Sequence, residues 1–194
     1  MLAYVIRHGQ TDWNVDERLQ GSKDIPLNET GRRQARGNGD MLGDILGETV
    51  AEFDYVASPL WRTRETMELV RQQMALSPEG YRTDERLIEL SFGDWEGLTL
   101  GEIATKEASL VAARERNKWA FLPPGESAES YEILSRRIAG WLASIERQTV
   151  CVCHGGVIRC LFKLVGGLSG HDAALLDVPQ DRILKIDDGG IRWL

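Results

Sequence analysis

An arginine and a histidine end the first apolar run of this chain, and that junction constrains the fold more than any other feature. Leu2–Ile6 is apolar and stops at Arg7-His8-Gly9. A short apolar run closed by a glycine predicts a buried strand followed by a turn. Ligands of open α/β sheets collect at the carboxyl ends of strands. Arg7 and His8 together therefore predict a phosphate site with a potential histidine nucleophile, although they could also merely cap the strand.

Two later strands are predicted to end in the same way. Phe53–Ala57 is followed by Ser58-Pro59, and a serine N-cap before proline predicts a helix that carries Arg62 in its first turn or two. Thr149–Cys153 is followed by His154, two glycines and another helix. Helix N-termini attract anions through their unpaired N–H groups. Both junctions therefore add anion-binding groups to the one at Arg7.

The remaining elements alternate between strands and helices. This alternation predicts a three-layer α/β/α sandwich with a mostly parallel central sheet, formed by residues 1–194 as a single domain. A polar loop is expected over Asp16–Pro26, and a helical insertion that could act as a lid over residues 98–127. Further helix starts are predicted at Thr30, Thr99 (a Thr-x-x-Glu capping box) and Ser127. Extended segments are predicted at Arg82–Leu90, Leu175–Val178 and Arg182–Ile186, with a hairpin turn at 188–190 that leads into Ile191–Leu194.

If the three junctions share one edge of the sheet, Arg7, His8, Arg62 and His154 surround a single hole. A carboxylate could join them from the segment that ends near Gly93. Four acidic residues compete for this place, and local spacing selects none of them: Glu85, Glu89, Asp94 and Glu96.

Composition and charge limit the classes of partner that we expect this protein to bind. The formal net charge is −7 and the pI about 5.1, which disfavours nucleic acid and anionic membranes as partners. No apolar run approaches the ~20 residues of a membrane span, and no secretory signal is apparent. Three cysteines, an odd number crowded into one region, favour a reducing compartment, so we expect a cytoplasmic protein. The six tryptophans make an exposed apolar patch, and hence a homodimer, conceivable.

No metal or cofactor is predicted. Cys151-x-Cys153-His154 contains zinc-ligand types, but two cysteines spaced by one residue on an apolar strand both point into the core. The sequence lacks the second pair of metal ligands that a structural zinc site shows. It also lacks a phosphate-binding P-loop and the glycine-rich fingerprint of dinucleotide-binding proteins. His171, in a polar helix start, is expected at the surface.

Five segments together resemble the histidine phosphatase superfamily, also called the phosphoglycerate mutase-like family, over nearly the whole chain. They are Arg7-His8-Gly9-Gln10-Thr11 with Asn14, Ser58-Pro59-Leu60-x-Arg62-Thr63, Glu89 to Gly97, Pro123 to Ser127, and His154-Gly155-Gly156. The resemblance implies a phosphoglycerate mutase-like fold whose helical insertion covers the active site.

The resemblance also implies roles for single residues. His8 would become phosphohistidine, and Arg7, Arg62 and a protonated His154 would hold the phosphoryl oxygens in place of a metal ion. Glu89 would protonate the leaving oxygen and then activate water. Further contacts to a small phosphorylated substrate would come from Asn14, Gln20, Gly21 and Gly155.

Within the family, the segment after Glu89 separates two activities. Leu90 to Gly97 resembles the broad-specificity and α-ribazole phosphatases and lacks the Arg-His-Tyr-Gly that follows this glutamate in the mutases. A metal-independent phosphatase acting on a small phosphate monoester is therefore the favoured interpretation. A cofactor-dependent phosphoglycerate mutase stays open, because Arg114 and Arg116 could contact a second acidic group. A phosphate-binding module without turnover is the third alternative.

Overall fold

A six-stranded sheet lies at the centre of the computed structural model, which describes residues 1–194. Its strands are β1 (Ala3–Arg7), β2 (Asp54–Ala57), β3 (Arg82–Thr83), β4 (Thr149–Cys153), β5 (Ile183–Asp187) and β6 (Gly190–Trp193). They lie in the order β3-β2-β4-β1-β5-β6. The first four strands are parallel, whereas β5 runs antiparallel to β1 and β6 antiparallel to β5. The predicted mostly parallel sheet and its terminal hairpin are confirmed.

Helices cover both faces of the sheet because side chains alternate between two cores. They are α1 (Asp12–Val15), α2 (Glu29–Leu46), α3 (Trp61–Gln73), α4 (Leu100–Arg116), α5 (Tyr131–Ala143), α6 (Gly155–Leu164) and α7 (Gly170–Leu175). Val5 and Cys151 pack with α5 and α6, whereas the adjacent Ile6 and Val152 pack with residues of α2 and α3. This alternation produces the predicted three layers. None of the helices has the length and apolarity that crossing a bilayer requires.

Three predicted N-caps are wrong by two or three residues. Helix α2 is capped by Asn28 rather than Thr30, with the Asn28 side chain accepting from the Gly31 N–H at 2.9 Å. Helix α3 begins after Leu60 because the Ser58 N–H still donates to Val152 of β4 at 3.0 Å. Helix α5 is capped by Ser130 rather than Ser127. The capping box at Thr99 is confirmed.

Two predicted extended segments are wrong. Most of Arg82–Leu90 is not a strand, because the Asp84 side chain accepts from the Arg86 N–H at 3.0 Å and caps a 3₁₀ turn at Glu85–Leu87. Leu175–Val178 is not extended as a strand either, since Leu175 closes α7. Of the third segment, Ile183 to Ile186 belongs to β5.

The structure also shows the surroundings of the three cysteines and the secondary structure of residues 98–127. All three cysteines are buried free thiols, and Cys151 and Cys153 lie in the core as predicted. Helix α4 fills the first part of residues 98–127 and is interrupted at Glu107, whose backbone is not helical. There the Glu107 carboxylate accepts from the Trp95 indole N–H at 2.8 Å. Its motion as a lid stays a prediction.

Candidate active site

The carboxyl ends of β1, β2 and β4 place four of the predicted site residues together. The sheet register pairs Arg7 with Cys153, so the residues that follow, His8 and His154, leave the sheet side by side. The centroids of the two imidazole rings are 5.2 Å apart. Arg62 comes from the second residue of α3, directly beyond β2. Neighbouring parallel strands thus bring residues 7, 8, 62 and 154 to one edge, although 146 residues of sequence separate the two histidines (154 minus 8).

The His8 ring is held in one orientation. Its Nδ1 lies 2.8 Å from the Gly9 carbonyl oxygen, which can only accept, so Nδ1 carries the hydrogen. In the neutral ring Nε2 is then the unprotonated nitrogen. Burial, followed by the charges of Arg62 and Arg7, lowers the pKa of His8 well below its ordinary value. The free protein therefore presents a neutral imidazole whose Nε2 lone pair is available.

Close backbone contact fixes the turn after His8. A Cβ on Gly9 would lie 2.2 Å from the Gly31 carbonyl oxygen, so only glycine fits between β1 and the start of α2. The Gly9 N–H donates to the Thr66 hydroxyl at 3.1 Å, and that hydroxyl donates to the Arg62 carbonyl at 2.7 Å. These two hydrogen bonds connect the turn after His8 to helix α3, which carries Arg62.

Both arginines keep a donor without a partner. Arg62 is 0% exposed and donates to the backbone carbonyls of Lys23 and Gly21, the latter at 2.8 Å. Arg7 donates to the Val178 carbonyl at 2.6 Å. Neither Nε–H has a hydrogen-bond partner, although both are buried. Burial lowers the pKa of Arg62 to about 10, so Arg62 stays cationic at neutral pH, and burial also lowers the pKa of Arg7.

His154 is fully buried next to His8 and is not among the residues that line the cavity of the free protein. It caps α6, is 0% exposed, and its Nε2 contacts the Ser58 hydroxyl at 2.8 Å. Its Nδ1 is buried without a partner. Burial, then the charges of Arg62, His8 and Arg7, lowers its pKa well below the ordinary value. His154 is therefore neutral in the free protein, because burial and then the neighbouring positive charges disfavour its protonation, and a His154 that is protonated around bound phosphate stays a prediction.

Of the four competing carboxylates, only Glu89 lines the cavity. Its two oxygens accept from the backbone N–H of Gly156 at 2.8 Å and of Leu90 at 3.0 Å. Glu85 and Asp94 are exposed. Glu96 instead accepts from the Ser22 N–H at 2.9 Å and the Phe92 N–H at 3.2 Å, and so fastens two loops to each other.

The remaining predicted contacts also line this cavity, whose volume is about 140 Å³. Gln20 and Gly21 come from the polar loop over Asp16–Pro26, which forms part of the cavity wall. Asn14 belongs to α1, a short helix that was not predicted, and forms a capping box with Thr11. Gly155 begins α6 beside the Arg7 guanidinium.

Comparisons with known proteins show the family of this chain. A family model described as the histidine phosphatase superfamily (branch 1) matches residues 3–193. This chain belongs to that superfamily. It is 31% identical over 168 residues to the "uncharacterized phosphatase PhoE" of Bacillus subtilis, covering 84% of this chain and 76% of the relative. It is also 30% identical to the "probable phosphoglycerate mutase GpmB" of Klebsiella pneumoniae, over 98% and 86% of the two chains.

A solved structure within the histidine phosphatase superfamily has the same fold. Mycobacterial glucosyl-3-phosphoglycerate phosphatase, solved with VO3, superimposes with a TM-score of 0.77 at 28% identity. The match covers 100% of this chain and 96% of that chain.

Five residues that line the cavity of this histidine phosphatase site were not predicted as contacts: Arg18, Leu19, Phe92, Tyr131 and Arg159. Arg159 and Tyr131 line the cavity with Arg7, and the Arg159 guanidinium donates to the Tyr131 hydroxyl at 3.3 Å. Arg159 follows Gly155 by one helical turn, so the two share a face of α6. A lone arginine in the apolar stretch Val157 to Leu161 was the available signal. Tyr131 gave none, because its helical spacing predicted a core residue.

Proposed function

We propose that this histidine phosphatase family member hydrolyses small phosphate monoesters through a phosphohistidine at His8, without a metal ion. One observation carries the proposal. His8, whose Nε2 is unprotonated, lines a cavity together with Arg7 and Arg62, and each of these arginines keeps a buried Nε–H without a hydrogen-bond partner. Phosphoryl transfer proceeds through a loose transition state whose charge lies on the equatorial oxygens, so positioned cationic donors supply most of the stabilisation.

In the first step, Nε2 of His8 attacks phosphorus while the bond from phosphorus to the ester oxygen breaks. The leaving oxygen takes a proton from the Glu89 carboxyl group, which must therefore be protonated when substrate binds. The His8 ring retains its Nδ1 hydrogen, and the Gly9 carbonyl stabilises the positive charge that the phosphorylated ring acquires. Arg7 and Arg62 hold the phosphoryl oxygens.

In the second step, water attacks the phosphohistidine. The Glu89 carboxylate takes a proton from that water, the bond between Nε2 and phosphorus breaks, and inorganic phosphate leaves neutral His8. Glu89 is thereby protonated for the next cycle. The N–H groups of Gly156 and Leu90 hold the carboxylate in place through both steps.

His154 is proposed to hold a phosphoryl oxygen through Nδ1. When the Ser58 hydroxyl donates to Nε2, Nδ1 carries the hydrogen and becomes a third unpartnered donor next to His8. A bound phosphate dianion would raise the pKa of His154 and strengthen this bond.

The His8→Ala variant tests the covalent step. We expect at least a roughly thousandfold loss of p-nitrophenyl phosphate hydrolysis, since no other group can accept the phosphoryl group. Rapid quenching of the native protein with 32P-labelled substrate should give acid-labile label on His8. The matched control is His171→Ala, which removes an exposed histidine and should retain activity. Label on any other residue, or full activity in His8→Ala, would contradict the proposal.

A phosphoglycerate mutase is the second candidate, supported by the 30% identity to the probable mutase. The two activities separate in one assay with 3-phosphoglycerate. A mutase forms 2-phosphoglycerate and is stimulated by 2,3-bisphosphoglycerate, whereas a phosphatase releases inorganic phosphate. Tight phosphate binding with neither product would identify a binding module.

The buried free thiols support a reducing, cytoplasmic location, and the homodimer stays a prediction.

A further inference from the structure

Gln180 contacts two residues of the proposed active site, although the proposed reaction does not use it. It lies between α7 and β5, and its side chain is half-buried. Its amide nitrogen Nε2 lies 3.1 Å from the His8 carbonyl oxygen and 3.1 Å from Oδ1 of Asn14. One side chain from the C-terminal part of the sequence therefore connects the end of β1, where the proposed nucleophile lies, with the short helix α1.

The orientation of both amide groups follows from neighbours that have a single hydrogen-bonding role. The Thr11 backbone N–H can only donate, and its nitrogen lies 3.0 Å from the Asn14 side-chain atom that faces it, so that atom is the oxygen. The His8 carbonyl can only accept. The Gln180 atom that faces both oxygens is therefore its amide nitrogen, whose two hydrogens match the two acceptors.

This arrangement leaves the Asn14 amide nitrogen free for a ligand. Oδ1 of Asn14 accepts from the N–H and the hydroxyl of Thr11 and from Gln180, whereas Nδ2 donates to no group of the protein. Asn14 lines the cavity together with His8. Thr11 belongs to the cap of α1 itself, so Gln180 is the one hydrogen-bond partner that fixes the Asn14 side chain relative to His8.

Gln180 is itself anchored on the side away from the cavity. Its carbonyl accepts from Nδ2 of Asn38 at 2.9 Å, and Asn38 is 1% exposed within α2. Two residues before Gln180, the Val178 carbonyl accepts from Arg7 at 2.6 Å. The backbone on which the Gln180 side chain depends is therefore held by a buried helix residue and by an arginine of the site.

We propose that Gln180 is a positioning residue, which holds the Asn14 amide so that its nitrogen donates to the phosphoryl group bound at His8. Gln180 does not line the cavity, so it acts through Asn14 rather than on the substrate. The inference rests on the proposed function, because it requires a phosphoryl group at His8. It assigns to the segment between α7 and β5 a part in phosphate binding.

Binding of inorganic phosphate, measured by calorimetry, tests this role without requiring turnover. Gln180→Met keeps the length of the side chain but removes both donated hydrogen bonds, and should weaken phosphate binding roughly tenfold. The same substitution in an Asn14→Ala background should weaken binding about threefold or less, because the amide through which Gln180 acts is absent. A purely structural role would give the same factor in both backgrounds.

A matched control and a second variant complete the experiment. Gln72→Met makes the same substitution at an exposed residue of α3 and should bind phosphate like the native protein. Thermal unfolding checks that each variant folds. Gln180→Glu replaces Gln180→Met if that variant does not fold. Its carboxylate has the same shape as the amide but can only accept, so it should weaken phosphate binding at least as much.

The outcomes separate this inference from the proposed function. The inference is overturned if the native protein binds no phosphate, if the loss in the Gln180 variant is under about threefold, or if the loss is as large without Asn14. Hydrolysis of p-nitrophenyl phosphate by the native protein judges the phosphatase separately. Hydrolysis with an unchanged phosphate affinity in Gln180→Met would reject the positioning role alone. Coupled loss of phosphate binding without hydrolysis by the native protein would reject the phosphatase alone.

Discussion

At the scale of single residues, Gly156 controls the geometry of the proposed acid. Its N–H donates to Glu89, and a Cβ at this position would lie 2.1 Å from the other Glu89 oxygen. In Gly156→Ala we expect the carboxyl group to be displaced and kcat to fall by roughly tenfold or more. Gly140→Ala is the control, because nothing lies within 4 Å of a Cβ on this exposed helical glycine. It should keep full activity and gain about 1 kcal/mol of stability. Equal kcat values in the two variants would rule out this role.

The residues at strand ends could be predicted from sequence, but those on loops could not. Arg7, His8 and His154 meet because the carboxyl ends of parallel strands share one edge, which a strand pattern already implies. Glu89 lies in a loop whose path depends on the N–H of Gly156, a residue distant in sequence, so spacing could not separate it from Glu96. Arg159 was missed because a helical residue reaches the cavity only through tertiary packing.

At the scale of elements, Glu96 connects the loop 16–26 to the loop that carries Glu89. Its carboxylate accepts from Ser22 and Phe92, and a Cβ on Gly21 would lie 2.1 Å from it. Glu96→Ala should release this connection and raise KM about tenfold with a smaller change in kcat, since the N–H and hydroxyl of Ser22, the Ser91 hydroxyl and the Phe92 N–H all lose their charged acceptor. Asp94→Ala, at an exposed carboxylate two residues away, should leave KM unchanged. An unaltered KM in Glu96→Ala would contradict the assignment.

Element boundaries show where local sequence rules were overridden. Ser58 before proline predicts a helix start, but its N–H completes the sheet and its hydroxyl contacts His154. The first helical residue is therefore displaced to Trp61. The capping box at Thr99 survives because Glu102 satisfies the Thr99 N–H locally, at 2.9 Å. The N-cap prediction was correct at Thr99, where both residues of the capping box lie in one helical turn. It failed at Ser58, because residues distant in sequence compete for the hydrogen bonds of this serine.

At the scale of the whole molecule, two buried neutral histidines make stability depend on pH. The pKa values of His8 and His154 are lowered well below the ordinary value of about 6.5, chiefly by burial. Below pH 6.5 the unfolded chain therefore binds protons that the folded protein does not bind. The free energy of unfolding is fully retained above this pH and falls as the pH decreases through it. The limiting slope is about 1.4 kcal/mol per pH unit for each histidine.

Urea unfolding at pH 7.5 and pH 5.5 measures this effect. The native protein should be less stable at pH 5.5, and His8→Gln should lose about half of the difference because one of the two buried groups is gone. His171→Gln, which removes the exposed histidine, should keep the whole difference. A pH-independent free energy of unfolding would mean that both histidines titrate in the folded protein as they do in the unfolded chain, which would contradict the lowered pKa values. The same lowered pKa that costs stability in acid therefore keeps the proposed nucleophile neutral at mildly acidic pH.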